Sequence, residues 1–278
     1  MIIFCILPSE ASSHQLDIFK NCLTENSDMK KKKFKNLGIA LGGGAAHVGI
    51  IKALLEKGDR PAAITGTSIG AFVAAHIAFG TSIGELEEIA LELDWLDVTS
   101  FKLSKMGLLT NESLGNKILD TLGKVDIEDA DIPLCVISTD ITSGKRVELS
   151  KGPLYKAVMA SSCLPGIFAP VEWDNMLLVD GFLCENVPVS PLKKMGAEDI
   201  VAVDLTTNRE YKRPDDIIDV LSNTFDIGLN NMIRQQIREN DVKWIQPSLS
   251  AYNRADTSQT KKLIEEGYNA AKKTLADW

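Results

Sequence analysis

The chain has 278 residues, 45% of them hydrophobic and 24% charged, and a formal net charge of -8. That is ample apolar material for a buried core, and the acidic balance excludes the basic footprint of a nucleic-acid binder. The five cysteines (Cys5, Cys22, Cys135, Cys163 and Cys184) are odd in number and include no C-x-x-C pair, which argues against a disulfide frame or a metal site and for reduced thiols in a cytoplasmic protein.

No apolar run approaches the roughly 18 to 20 residues that span a bilayer. The opening MIIFCIL is short and has no basic residues ahead of it, which argues against a secretory signal. Residues 1–35 are expected to be an N-terminal extension, or a misassigned start with translation beginning at Met29, just before the basic run Lys30 to Lys33. Residues 36–278 are then expected to form one domain.

From Leu37 to Leu41 the chain reads as a strand. Three glycines follow, and then a helix from His47 with apolar residues at Val48, Ile51, Leu54 and Leu55, the three-and-four spacing of a buried face. Ala62 to Thr65 is a second strand, followed by GTSIG and the apolar helix AFVAAHIAFG. Helices are predicted at 84–95 and 112–122, strands at 133–139 and in KRVEL, a helix from Leu154 to Ala160, and strands at 176–181 and from 199. Helices at about 215–239 and 258–276 flank VKWIQ, and 96–130 is the expected embellishment. Strands alternating with helices predict an α/β fold, a three-layer α/β/α sandwich around a mainly parallel sheet.

The stretch GTSIG, residues 66 to 70, satisfies G-x-S-x-G between a strand and a helix, the setting in which that motif presents a nucleophile. Ser68 is the candidate nucleophile, and Gly66 and Gly70 relieve the crowding of a sharp turn. An ordinary serine N-cap is the alternative. Gly42, Gly43 and Gly44 are placed to aim backbone N–H groups at an oxyanion. A dinucleotide site fails because G-x-G-x-x-G needs glycine at 47, where His47 stands, and a P-loop is excluded because no G-K-S/T follows.

The base is the open question. There are three histidines: His14 lies in the extension, His76 is ~12 Å down the helix axis from Ser68, and His47 reads best as packing between helix and sheet. The remaining candidates are the strand-end carboxylates Asp140, Asp180 and Asp204, of which only Asp180 is followed at once by glycine.

The ordered motifs GIALGGG…HVGIIKALLEKG, GTSIGA, STDITSGKRVELSKGPLYKAVMASSCLPGIFAPVEW, LLVDG and ENVP, over about residues 36 to 206, resemble the patatin-like phospholipase family, particularly its small bacterial members. The resemblance implies hydrolysis of acyl esters, often of phospholipids or lysophospholipids, by a serine and aspartate dyad without histidine. It implies Ser68 as nucleophile, Asp180 as base, Gly42, Gly43 and Gly44 as oxyanion hole, and neither a metal nor an organic cofactor. The chain differs from the family pattern twice. GGGAAHVG lacks the usual basic residue and further glycine, and Phe182 follows Asp180–Gly181 where a small residue is usual. A weakened relative with an acyl-binding or regulatory role is therefore the alternative to an active enzyme.

Partners are expected to be an acyl ester or phospholipid and, transiently, a membrane surface, with no nucleic acid and with self-association left open. Trp95, Leu96, Phe101, Leu103, Met106, Leu108 and Leu109 are candidates either for a membrane-facing patch or for core packing.

Overall fold

The structure, a computed structural model, describes residues 34–93, 100–104, 107–206, 213–215, 217–239, 242–252 and 257–276. The first predicted unit forms as read, with β1 at Gly38–Leu41 and α1 at His47–Glu56. β2 (Ala63–Thr67), α2 (Ile69–Ala78) and α3 (Ile83–Glu92) follow. A capping box starts α3: Ser82 accepts from the Glu85 amide, and Glu85 accepts from the Ser82 amide.

The expected embellishment contains a small antiparallel sheet of β3 (Ser100–Ser104) and β4 (Gly107–Thr110), then α4 (Glu112–Leu122) and a turn of 3-10 helix at Ile127–Asp129. After it come β5 (Leu134–Asp140), β6 (Lys145–Leu149), α5 (Leu154–Ser161), β7 (Val171–Trp173) and β8 (Met176–Asp180). The chain continues through α6 (Val189–Lys194), β9 (Ile200–Val203), α7 (Ile217–Glu239), β10 (Lys243–Ile245) and α8 (Thr260–Thr274).

Eight strands form one mixed sheet in the order β10-β9-β1-β2-β5-β8-β7, with β6 also on β5. From β10 to β5 every pairing on that path is parallel. All residues of β1, β2, β5 and β9 are buried, as strands covered on both faces must be. Ala40, Ala63, Ile200 and Ala202 pack against Val189 and Leu192 of α6 and Ile233 of α7. Ile39, Leu41, Ile64 and Val203 alternate to the opposite face, that of α1, α2 and α8. This is the three-layer α/β/α sandwich the sequence predicts.

One local departure from parallel order positions the site. β5 pairs with β2 over Leu134–Ile137 and with β8 over Ser138–Asp140. β6 pairs across both stretches, from Val136 to Asp140, and therefore occupies the other edge. β2 and β8 thus share one edge of β5 end to end. β2 leaves after Thr67, opposite Ile137, and β8 arrives with Asp180 opposite Ser138. Ser68 and Asp180 meet at this seam because neighbouring residues of β5 fix both.

Candidate active site

Ser68 sits between β2 and α2 with φ 57° and ψ -130°, a left-handed conformation that side chains rarely adopt. Such strain costs about 1–3 kcal/mol and persists only where the surroundings enforce it. Here they do. A Cβ on Gly70 would lie 2.1 Å from the Gly42 carbonyl oxygen and 2.3 Å from that of Leu41, so only glycine lets α2 start across the end of β1. A Cβ on Gly66 would lie 2.5 Å from the Ala71 Cα. The turn takes the Ser68 amide out of the strand ladder, and the Ser161 hydroxyl receives it at 2.9 Å while donating to the Ile137 carbonyl at 2.6 Å. Ser161 is fully buried at the end of α5, a role that sequence reasoning missed. Its signal is a polar residue closing the apolar run Ala157 to Ala160. Ser68 itself is half-buried, with the N-terminus of α2 behind it favouring negative charge.

The glycine loop lies against this turn. A Cβ on Gly43 would stand 3.7 Å from the Ser68 Cβ and 3.9 Å from its Oγ. Gly44 has φ 135°, and a Cβ there would meet Leu205 Cδ1 at 2.7 Å. Gly43 and Gly44 are partly exposed, and neither amide has an acceptor among the described residues. Gly42 differs. It is buried, and its amide donates to the Val203 carbonyl at 3.2 Å, extending the β1–β9 ladder by one bond. Of the three glycines expected to aim amides at an oxyanion, Gly42 has its amide committed to the sheet, while those of Gly43 and Gly44 are not.

His47 accounts for the order of this loop. Its Nε2 lies 2.5 Å from the Gly42 carbonyl oxygen; a carbonyl only accepts, so Nε2 carries the proton. Burial lowers the His47 pKa to about 4, against the pull of the Gly42 carbonyl and the Asp204 charge. The ring is thus a neutral prop under the loop, not a base. His76, also fully buried, bridges the Phe72 carbonyl and Thr121 away from Ser68.

The structure separates the three strand-end carboxylates. Asp140 accepts from the Ser143 hydroxyl and the Thr142 amide, which is a turn cap. Asp204 accepts from Thr206 and from Gln246. Asp180 is fully buried, with Oδ1 receiving the Phe182 amide at 3.0 Å and Oδ2 left without a hydrogen bond. Burial raises its pKa to about 7, with the Phe182 amide and the Ser68 hydroxyl pulling it down. The Ser68 hydroxyl thus stands close enough to act as a donor toward the carboxylate, while the pair falls short of full hydrogen-bond geometry. Such contacts commonly close up only when substrate is bound.

Phe182 is not among the residues with positive φ, so the bulky side chain is unstrained there. Its ring is buried and meets Phe225 of α7 edge-on at 5.2 Å. The ENVP segment is pinned beside the turn: Thr67 donates to the Glu185 carbonyl at 3.0 Å, Thr65 donates to that of Pro188 at 2.7 Å, and Arg146 pairs with the Glu185 carboxylate.

Of the apolar candidates, Trp95, Leu96 and Met106 lie outside the described residues, as do the side chains of Phe101, Leu103 and Leu108. Leu109 is half-buried against the cluster of Cys163, Ile167, Phe168 and Val179, which makes it a core residue. His14, Cys5, Cys22, Met29 and Lys30 to Lys33 also lie outside the described residues. Among the described residues no helix is long and apolar enough to cross a membrane, and no group of three or more His, Cys, Asp or Glu is arranged to hold a metal ion.

Comparison with known proteins places this geometry. An NTE family protein of Mycobacterium tuberculosis is 35% identical over 180 residues, covering 61% of this chain and 49% of that protein. The Drosophila melanogaster neuropathy target esterase sws is 32% identical over 185 residues, 61% of this chain and 13% of the other. Lysophospholipase NTE1 of Scheffersomyces stipitis is 26% identical over 278 residues, 87% of this chain and 18% of the other. The chain thus spans about half the length of the mycobacterial relative and far less of the other two. Among solved structures, VipD from Legionella pneumophila shares the fold, with a TM-score of 0.58 and 14% identity over 88% of this chain and 67% of that one. The family model described as patatin-like phospholipase matches residues 39–193, from β1 through the Ser68 turn and Asp180 to α6, and the chain belongs to that family.

Proposed function

We propose that the protein is a serine acylhydrolase that cleaves lipid acyl esters, of the phospholipid or lysophospholipid class, through a Ser68–Asp180 dyad and an acyl-enzyme. The observation that carries this reading is the seam on β5. What supports the reading is a strained, half-buried hydroxyl on one side of the seam and, on the other, a fully buried carboxylate whose Oδ2 has no hydrogen bond among the described residues. The names of the relatives, an esterase and a lysophospholipase, support the substrate class.

Asp180, with a pKa raised by burial to about 7, is a base matched to neutral pH. Its Oδ2 takes the Ser68 proton, and the Ser68 oxygen attacks the ester carbonyl carbon. The carbonyl oxygen becomes an oxyanion facing the Gly43 and Gly44 amides, aided by the N-terminus of α2. Collapse expels the alcohol, which takes the proton back from Asp180 and leaves Ser68 acylated. A water then gives its proton to Asp180 and attacks the acyl carbon, and the acid leaves as Ser68 recovers its proton. A lipid substrate entails transient contact with a membrane surface.

A chromogenic short-chain ester should release a burst of product, and a fluorophosphonate should label Ser68, with Ser68→Ala abolishing both. Folded wild-type protein that neither labels nor hydrolyses the ester would replace this reading with that of an acyl-binding, non-catalytic relative.

A further inference from the structure

Ser138 is a buried polar residue that the mechanism above does not use. It lies in β5 with no exposed surface, and its hydroxyl has no hydrogen-bond partner among the described residues. On one side it stands directly opposite Val147 of β6, and on the other directly opposite Asp180 of β8. Its polar cross-strand neighbour is thus the carboxylate whose Oδ2 is also unpartnered.

The ladder makes this pairing close. Ile141 donates to the Leu177 carbonyl, which marks their pair as hydrogen-bonded. Pairs alternate along an antiparallel ladder, so Ser138 and Asp180, three pairs on, form a non-hydrogen-bonded pair, the class with Cα atoms about 4.5 Å apart and side chains nearest. The Asp180 amide accordingly leaves the ladder and donates to the Cys163 carbonyl at 2.8 Å. Two fully buried polar groups on one face, at that separation and both unsatisfied, are costly unless they meet.

We propose that Ser138 is a positioning residue for the dyad: its hydroxyl donates to Asp180 Oδ2 and steadies the ionised carboxylate that takes the Ser68 proton. This rests on the dyad reading of the site. A donor to the charged form favours that form, so Ser138 keeps the base ionised at lower pH than burial alone allows. The other ionisable groups around Asp180 do not perform this task. The Cys163 thiol, pushed up to about 12 by burial and by the Asp180 charge, is neutral and donates to the Phe168 and Ala169 carbonyls. Asp140, two residues along β5, is capped by Ser143 and Thr142. Glu185, beyond the 181–183 turn, is paired with Arg146.

The test is the midpoint of Asp180 ionisation in wild type, Ser138→Ala and Ser138→Cys. It is read from the acid limb of kcat/KM with a chromogenic ester and, independently of turnover, from carbon-13 NMR of aspartate-labelled protein. Ser138→Ala should raise the midpoint by about one pH unit, a tenfold gain in proton affinity, with Ser138→Cys, a weaker donor, in between. A merely structural serine would change the height of the plateau and leave the midpoint where it was. An unmoved midpoint, with Ser68 still labelled and Asp180→Asn inactive, overturns the role of Ser138 and leaves the dyad standing. An Asp180→Asn variant that keeps full activity overturns the dyad reading and this inference with it.

Discussion

The two halves of the sheet hold their reactive groups by different means. In the parallel half, from β10 to β2, Ser68 and the glycine loop are placed by backbone: a positive φ at Ser68, a forced close approach at Gly70, and amides that leave the ladder after Gly42. In the antiparallel half, Asp180 is placed by cross-strand register, and burial sets its chemistry. The proposed nucleophile, Ser68, therefore carries its cost as conformational strain, and the proposed base, Asp180, carries its cost as desolvation. That contrast separates the expected responses to mutation: substitutions on the nucleophile side act through geometry, while those on the base side are read in pH.

The largest effect is expected at Asp180. Asp180→Asn should lower kcat by about 10³-fold or more, as loss of a member of a catalytic unit does. It should also stabilise the fold at alkaline pH. The carboxyl has a reference pKa of 3.8, raised on folding to about 7, so its protonated form contributes stability that is complete below about pH 4 and lost as pH rises through about 7. The loss is worth up to about 4 kcal/mol, and denaturant melts of wild type and Asp180→Asn at pH 5 and pH 8 would show it as a gap already partly open at pH 5 that widens to its full size at pH 8.

On the nucleophile side, the two-donor loop is sharpened by comparing neighbouring glycines. Gly44→Ala forces a side chain onto φ 135° and displaces a donor, so kcat should fall by about 10²-fold, the typical cost of a lost oxyanion contact. Gly42→Ala keeps its amide on Val203 and meets Val187 at 3.1 Å, so a few-fold loss is expected. Equal losses at both positions would restore Gly42 to the donor set. A smaller effect is expected for Ser161→Ala. It strands the Ser68 amide and should cost about 1–3 kcal/mol of stability, with a modest fall in kcat and little change in KM.

Much of this molecule is legible in the chain because its signals are local. The buried parallel strands read as apolar runs, α1 shows its period at Val48, Ile51 and Leu54, and GTSIG announces a strained turn by glycines two residues either side of Ser68. The choice of base was not local. Asp140, Asp180 and Asp204 all end strands, and what distinguishes them is which neighbours satisfy their oxygens: Thr142 and Ser143 cap Asp140 locally, whereas Asp204 is also held by Gln246, 42 residues on. The commitment of the Gly42 amide depends likewise on where β9 ends beside β1. Phe182, a departure from the family pattern, is tolerated because the backbone there needs no positive φ. His47, without which the glycine loop would lack its prop, acts through a single bond to a carbonyl that sequence does not display.

The dyad is tested most directly by the pH dependence of covalent capture. Wild-type protein is reacted with a fluorophosphonate from about pH 5 to pH 9, and the adduct is mapped by peptide mass spectrometry. The seam on β5 predicts one adduct, on Ser68, whose rate of formation rises with a single ionisation near neutrality and loses that dependence in Asp180→Asn. An adduct on another residue, or a rate at Ser68 that follows the same pH curve with and without the Asp180 carboxylate, would contradict it.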